Sequence, residues 1–243
     1  QGPGWSATTT ATTGGAEGCG SMLASEASPE AVALRGIPAA CPVVSYAMAE
    51  SDAVDLELLR GRLLVATPNI GDPNFARTVV LLIEYGEEGA LGVVLNRPSE
   101  VHVAEHLPGW ADVVASPPVV FVGGPVSPNA ALCVAKVDVA NPGIGAEADG
   151  WDPLLGAVGT VDLNLDPDRV MPGVESVRIF AGYAGWAPRQ LEAEIAEGGW
   201  FVVDALPADP LSPLPEDLWR VVLRRQSGTV ALFADYPPDP SFN

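Results

Sequence analysis

No part of this chain limits its possible folds more than Gly61–Pro98, GRLLVATPNIGDPNFARTVVLLIEYGEEGALGVVLNRP. It holds three apolar runs, Leu63–Ala66, Thr78–Ile83 and Ala90–Leu95. The last two are short and rich in β-branched residues, and Gly86–Gly89 between them has the chemistry of a hairpin turn. The runs are nearly continuous rather than alternating, which predicts strands covered on both faces, in the middle of a sheet. The polar residues that break the pattern, Thr67, Asn69, Asp72, Asn74, Arg77, Asn96 and Arg97, fall at the strand ends. Folds display chemistry at strand ends and loops, so the search for function begins there.

Composition narrows the classes. The 243 residues are 48% hydrophobic and 18% charged, enough for one large core or two small ones. No apolar run approaches the ~18 residues a membrane helix needs, and the first residues lack the order of a secretory signal. Cys19, Cys41 and Cys133 are odd in number and widely spaced, which allows no CxxC pair or disulfide framework and predicts a reducing cytoplasm. Asp and Glu number 31 against 12 Lys and Arg, a net charge of −19. Affinity for nucleic acid rests on neutralising phosphates, so the expected partner is a protein rather than DNA or RNA, and no membrane. The plainest reading of the charge is a soluble acidic surface.

Residues 1–21 are Gly/Thr/Ala-rich with almost no aliphatic side chains, and Gly20-Ser21-Met22 resembles a cloning junction. The expected organisation is a tail over residues 1–55, one domain over 56–236 and a loose tail over 237–243. Within the domain, Ser99 is placed to cap a helix over Glu100–Leu107 after Pro98. Strands are predicted over Val119–Val122, Ala130–Val137, Ser176–Tyr183 and Trp200–Asp204, with a strand edge over Leu154–Leu163. Asn141–Asp152 reads as a loop and Asp166–Met171 as a helical turn. Helices follow Pro188 and span Leu214–Arg225, and Thr229–Phe233 reads as a last strand. Strands with irregularly inserted helices predict an α+β fold.

Three motifs give the chain a family likeness: the Gly61–Pro98 stretch, F-x-G-G-P-V at Phe121–Val126, and G-Y-A-G-W-x-x-x-Q-L-E-x-E-I…G-x-W at Gly182–Trp200. In order and spacing over residues 58–235 they resemble the AlgH/YqgE family of small bacterial cytoplasmic proteins. The resemblance implies a single α+β domain with a strongly bent mixed sheet, partly barrel-like and flanked by a few helices. It also implies the label that family often carries, transcriptional regulator.

Each candidate constellation has a functional and a structural reading. Arg97, beside Asn96, suits a bidentate fork to a carboxylate or phosphate, or an internal ion pair with Asp72 or a glutamate of the third motif. Thr67 and Asp72 sit at the neighbouring strand ends. Gly123-Gly124-Pro125 offers an anion cradle of backbone N–H groups, or simply a tight turn. Tyr183 and Trp186 form a pocket lip for a small anion or partner, with Gln190 and Glu194 on one helix face; otherwise Trp186 is core and the two polar residues tie down loops. His102-Val-Ala-Glu105-His106 reads H-x-x-E-H, an inverted zinc-protease order that would need a third ligand from Glu192 or Glu194. Two histidines flanking an apolar stripe on the surface is the commoner meaning. No nucleophile elbow exists and Cys133 lies in an apolar strand. The expected function is therefore a non-enzymatic regulatory or interaction domain without cofactor. The rival is an enzyme or binder for a small phosphorylated or carboxylated molecule, using Arg97 and the Gly123-Gly124 backbone.

Overall fold

A computed structural model describes residues 59–138, 150–170 and 173–237. The tail expected over 1–55, nearly all of that over 237–243 and most of the Asn141–Asp152 loop lie outside these residues. Each of the three leading apolar runs is a strand: β1 (Leu63–Ala66), β2 (Val79–Gly86) and β3 (Gly89–Val94), with β2 and β3 joined at Gly86 and Gly89 as a hairpin. Their alternate side chains point to two different cores. Leu63, Val65, Leu81 and Val93 enter one, and Leu64, Ala66, Val80 and Val94 the other. Burial on both faces explains why these strands read as unbroken apolar runs.

Further along come β4 (Pro98–His102), helix α1 (Val103–His106), β5 (Val119–Val122), β6 (Val126–Val137), β7 (Trp151–Leu155) and β8 (Val158–Val161). Then follow α2 (Pro167–Val170), β9 (Val174–Trp186), α3 (Gln190–Ala196), β10 (Trp200–Val203) and α4 (Leu218–Arg224). The sheet order is β10-β1-β2-β3-β9-β6-β8-β7, with β5 attached to β9 and β4 to β5. All pairings between these strands are antiparallel except β5 with β9, so the sheet is mixed, and it curls into a half-barrel.

Strand β9 is the spine. Phe180 pairs with Leu132 of β6 and with Phe121 of β5, so those two strands lie on opposite edges. Farther along, Ala184–Trp186 takes β3. The inner face of the curl is filled by Leu63, Leu81, Phe121, Val134 and Phe180, with Leu218, Trp219, Val222 and Leu223 of α4 as the plug. The outer face is covered twice, by Leu191 of α3 over β1–β3 and by Val103 and Trp110 over β6 and β9. These are the α+β class and bent mixed sheet expected from the sequence.

Four local expectations need correction. The helix expected over Glu100–Leu107 shrinks to the four residues of α1, because Pro98–His102 pairs with β5. Ser99 therefore caps nothing: its hydroxyl donates to the Val120 carbonyl and accepts from the Val101 N–H. The strand expected over Ser176–Tyr183 runs on to Trp186, since the glycines admit close backbone neighbours rather than ending the ladder. Thr229–Phe233 belongs to a 3-10 helix over Gly228–Asp235, whose inward residues recur at a spacing near three rather than two. The expected Leu214–Arg225 helix is a 3-10 turn, Pro215–Asp217, running into α4.

Candidate functional site

The polar residues at the strand ends are largely committed to the backbone around them. Buried Asn96 accepts from the Val79 N–H at 3.0 Å and donates to the Arg77 carbonyl at 2.9 Å, replacing ladder bonds that end there. Thr67 donates its hydroxyl to the Gly198 carbonyl at 2.8 Å and its N–H to Gly199, tying β1 to the loop before β10. Asp72 closes its own turn, accepting from the Asn74 N–H at 2.8 Å while its carbonyl takes the N–H groups of Phe75 and Ala76. The proposed Arg97–Asp72 ion pair is not formed. Half-buried Arg97 donates Nη2 to the Ala76 carbonyl at 2.7 Å and has no ion pair among the described residues.

Gly123 and Gly124 let strands touch. A Cβ on Gly123 would sit 2.2 Å from the Gly182 carbonyl oxygen, and one on Gly124 (φ +154°) 2.2 Å from the Tyr183 carbonyl carbon. The Gly123 N–H is spent on Ala181 and its carbonyl on Val94, both at 2.8 Å, so this amide is not free for an anion. Pro125 and Val126 beyond it are exposed.

Trp186 is core, in a cluster with Phe75 and Trp200 whose ring centroids lie 5.7–6.3 Å apart. Glu194 organises it. Its Oε2 accepts both indole N–H groups, from Trp186 at 2.9 Å and Trp200 at 2.8 Å, and its Oε1 accepts Gln190 Nε2 at 2.9 Å. Gln190 in turn accepts the Ala187 N–H at 3.0 Å, fastening the start of α3. Glu192 takes the Tyr85 hydroxyl at 2.9 Å. The polar residues of the third motif thus lock α3 onto the sheet.

His102 ends β4, while Glu105 and exposed His106 lie on α1, so the two imidazoles do not share the helix face a zinc site of this order uses. Among the described residues no three His, Cys, Asp or Glu side chains could hold one metal ion. The Cys133 thiol is free and fully buried, and burial pushes its pKa up, away from reactive thiolate.

Contiguity holds better than openness. Val122 donates its N–H to the Arg97 carbonyl, Gly124 packs on Tyr183, and Trp186 is three residues farther along β9, so the segments form one seam. Yet Asn96, Gly123, Gly124 and Trp186 are buried within it, and of the candidate site residues in it only Pro125 and Gln190 are exposed.

Sequence reasoning missed Arg178 and placed Arg77 only as a strand-end polar residue, yet these two arginines have the most perturbed surroundings. Arg178, on β9, is 1% exposed and has no carboxylate partner among the described residues; it donates to the carbonyls of Ser116, Ser212 and Pro210 and lies 4.2 Å over the Phe121 ring. Burial pushes its guanidinium down to about 10, leaving it charged at neutral pH, and its Nε has no partner. Arg77 has a left-handed backbone (φ +57°), stacks 4.6 Å over Trp219 and donates to the Tyr236 carbonyl at 2.6 Å. Burial and then the neighbouring Arg220 lower its pKa. The only advance sign was scarcity of basic residues, which makes any two found together informative.

Comparison with known proteins agrees with the geometry. A family model described as AlgH-like matches residues 63–231. A UPF0301 protein of Streptomyces coelicolor is 54% identical over 193 residues, covering 79% of this chain and all of that one. One from Mycobacterium ulcerans is 47% identical over 184 residues, covering 75% and 90%. Among solved structures, a Corynebacterium diphtheriae protein, DIP2367, superposes with a TM-score of 0.69 at 36% identity, covering 73% of this chain and 92% of that one. The AlgH protein of Pseudomonas aeruginosa gives 0.55 at 29% identity, covering 79% and 100%. With the half-barrel, the three motifs and these relatives in agreement, the chain belongs to the AlgH-like, UPF0301 family.

Proposed function

We propose that the domain is a non-enzymatic interaction module that regulates through a protein partner. One observation carries the reading: the polar side chains expected to do chemistry hold the fold together instead. Thr67, Asn96, Gln190 and Glu194 all have hydrogen-bonding groups engaged with backbone or with neighbouring side chains, while the exposed aliphatic side chains stand elsewhere, Val101, Val122 and Val126 on β4–β6 and Leu206, Leu214, Val221 and Leu232 in the C-terminal segment. A role in transcription would pass through protein contacts, since a charge of −19 opposes direct binding of duplex DNA. A cytoplasmic setting is part of the reading, supported by the free thiol of Cys133. Among the described residues no helix is long and apolar enough to cross a membrane.

A second reading is favoured by Arg97, which has no carboxylate partner among the described residues and so keeps capacity for a small phosphorylated or carboxylated ligand. A thermal-shift screen of nucleotides and phosphometabolites separates the two. The interaction reading expects no hit; a hit abolished by Arg97→Ala establishes the rival. Tight, salt-sensitive retention of duplex DNA overturns the partner-mediated route.

A further inference from the structure

The curl of the sheet brings its last strand back to the start of its first. β7 ends the sheet order, and β8 is its one strand neighbour among the described residues. Its outer edge meets the turn Leu59–Arg62, which leads into β1 and is closed by the Arg62 N–H on the Leu59 carbonyl. Arg60 spreads its guanidinium across the gap. Nε donates to the Ile83 carbonyl of β2 at 2.9 Å, Nη1 to the Pro153 carbonyl of β7 at 3.0 Å, and Nη2 pairs with Asp152 of β7. Beside it Gly61, at φ +78°, admits the Leu154 carbonyl, whose oxygen would lie 2.9 Å from a Cβ there. Arg62 serves the opposite end of the sheet, pairing with Asp204 just beyond β10 at 3.1 Å. No backbone hydrogen bond between described residues crosses from β7 to the turn, so a single arginine makes the polar contacts of this seam.

β7 is poorly able to hold itself. None of its five residues is buried, whereas all four of β1 are. Pro153 has no N–H to give a ladder, and the pairing with β8 shifts register between Pro153 and Leu155. Its grip on the interior is Leu154 and Leu155, both half-buried against the inner cluster. Segments with so few buried contacts open at a lower free energy than the core around them. We propose that β7 is a strap latched by Arg60, which lifts from the Leu59–Arg62 turn while the rest of the domain stays folded, and so uncovers the apolar inner surface beneath Leu154 and Leu155. Ionic strength sets how often it lifts. The Arg60 and Asp152 side chains are 38% and 57% exposed, so salt screens their attraction and leaves the buried strands alone. The strap works in the same way whatever the uncovered surface meets, so the inference does not rest on the interaction reading.

The test is amide hydrogen exchange of the full chain, read by mass spectrometry at low and at high sodium chloride. Peptides covering residues 151–155 are compared with those covering 79–94 of the β2–β3 hairpin. In the unmodified chain the strap should exchange faster than the hairpin, and salt should speed the strap alone. Arg60→Met should speed exchange of the strap about fivefold or more at low salt, remove its salt response and leave the hairpin unchanged. Asp152→Asn, at an exposed position, should do the same to a smaller degree, since it keeps the bond to the Pro153 carbonyl. Strap exchange unchanged in both variants overturns the latch, leaving β7 held by packing. Exchange that rises equally over 79–94 overturns the strap, because Arg60 then supports the whole domain. A salt response that survives in either variant, or loosening by Arg60→Met without any by Asp152→Asn, overturns the ionic control.

Discussion

Glu194 shows how a residue of suggestive chemistry becomes structural. Its two oxygens accept from two tryptophan N–H groups and one amide, all neutral donors, in a cluster where Trp186 and Trp200 are nearly fully buried. Glu194→Ala leaves both indole N–H groups without a partner, and about 2–4 kcal/mol should be lost in urea unfolding. Glu194→Gln keeps an oxygen for the indoles but turns an amide toward Gln190, so its loss should be smaller, about 1 kcal/mol. Cys133 permits a test by pH. Burial raises its folded pKa above the unfolded value, so the folded state keeps a proton that the unfolded chain releases. Stability from this thiol is complete below the unfolded pKa of about 8.5 and falls above it by about 1.4 kcal/mol per pH unit. Cys133→Ala should remove that alkaline slope, read as the difference between the two proteins' urea midpoints across pH 8 to 11. At this scale the sequence was half legible. The residues of the seam were identifiable from their motifs, but a single strand end looks the same whether its polar head meets solvent or a backbone two strands away.

Among the elements, local signals read well and non-local ones poorly. The β2–β3 hairpin and α4 are visible because their glycines and apolar spacing lie within a few residues of one another. β4 is hidden, because what makes Pro98–His102 a strand is pairing with Val119–Val122, and the sequence from Ser99 onward is equally suited to a helix. The Gly182–Trp186 cluster misleads for a related reason, since glycine marks both turns and close contacts of backbones. Two glycines with positive φ separate these uses. Gly124→Ala forces a Cβ into the Tyr183 backbone where β9 meets the chain after β5, and should cost more than about 3 kcal/mol or prevent folding. Gly156→Ala, at φ +56° in the β7–β8 turn, meets nothing within 4 Å and should cost only about 1 kcal/mol of left-handed strain. Equilibrium unfolding of both variants provides the comparison.

For the molecule as a whole, charge is the dominant long-range term. A net of −19 stabilises dispersion and opposes compaction through self-repulsion. Moderate sodium chloride should therefore raise the thermal midpoint rather than lower it, as scanning fluorimetry can read, because screening relieves more repulsion than it weakens the exposed ion pairs. Architecture adds a constraint of timing. β1 finds its second neighbour only in β10, and β3 only in β9, although all of β1–β3 precede those strands by much of the chain. A nascent polypeptide thus emerges from the ribosome with its first hairpin complete and its greasiest ribbon still lacking a neighbour on each side. How long that surface stays sticky is set by the pace of translation, and a chaperone has its clearest opportunity there.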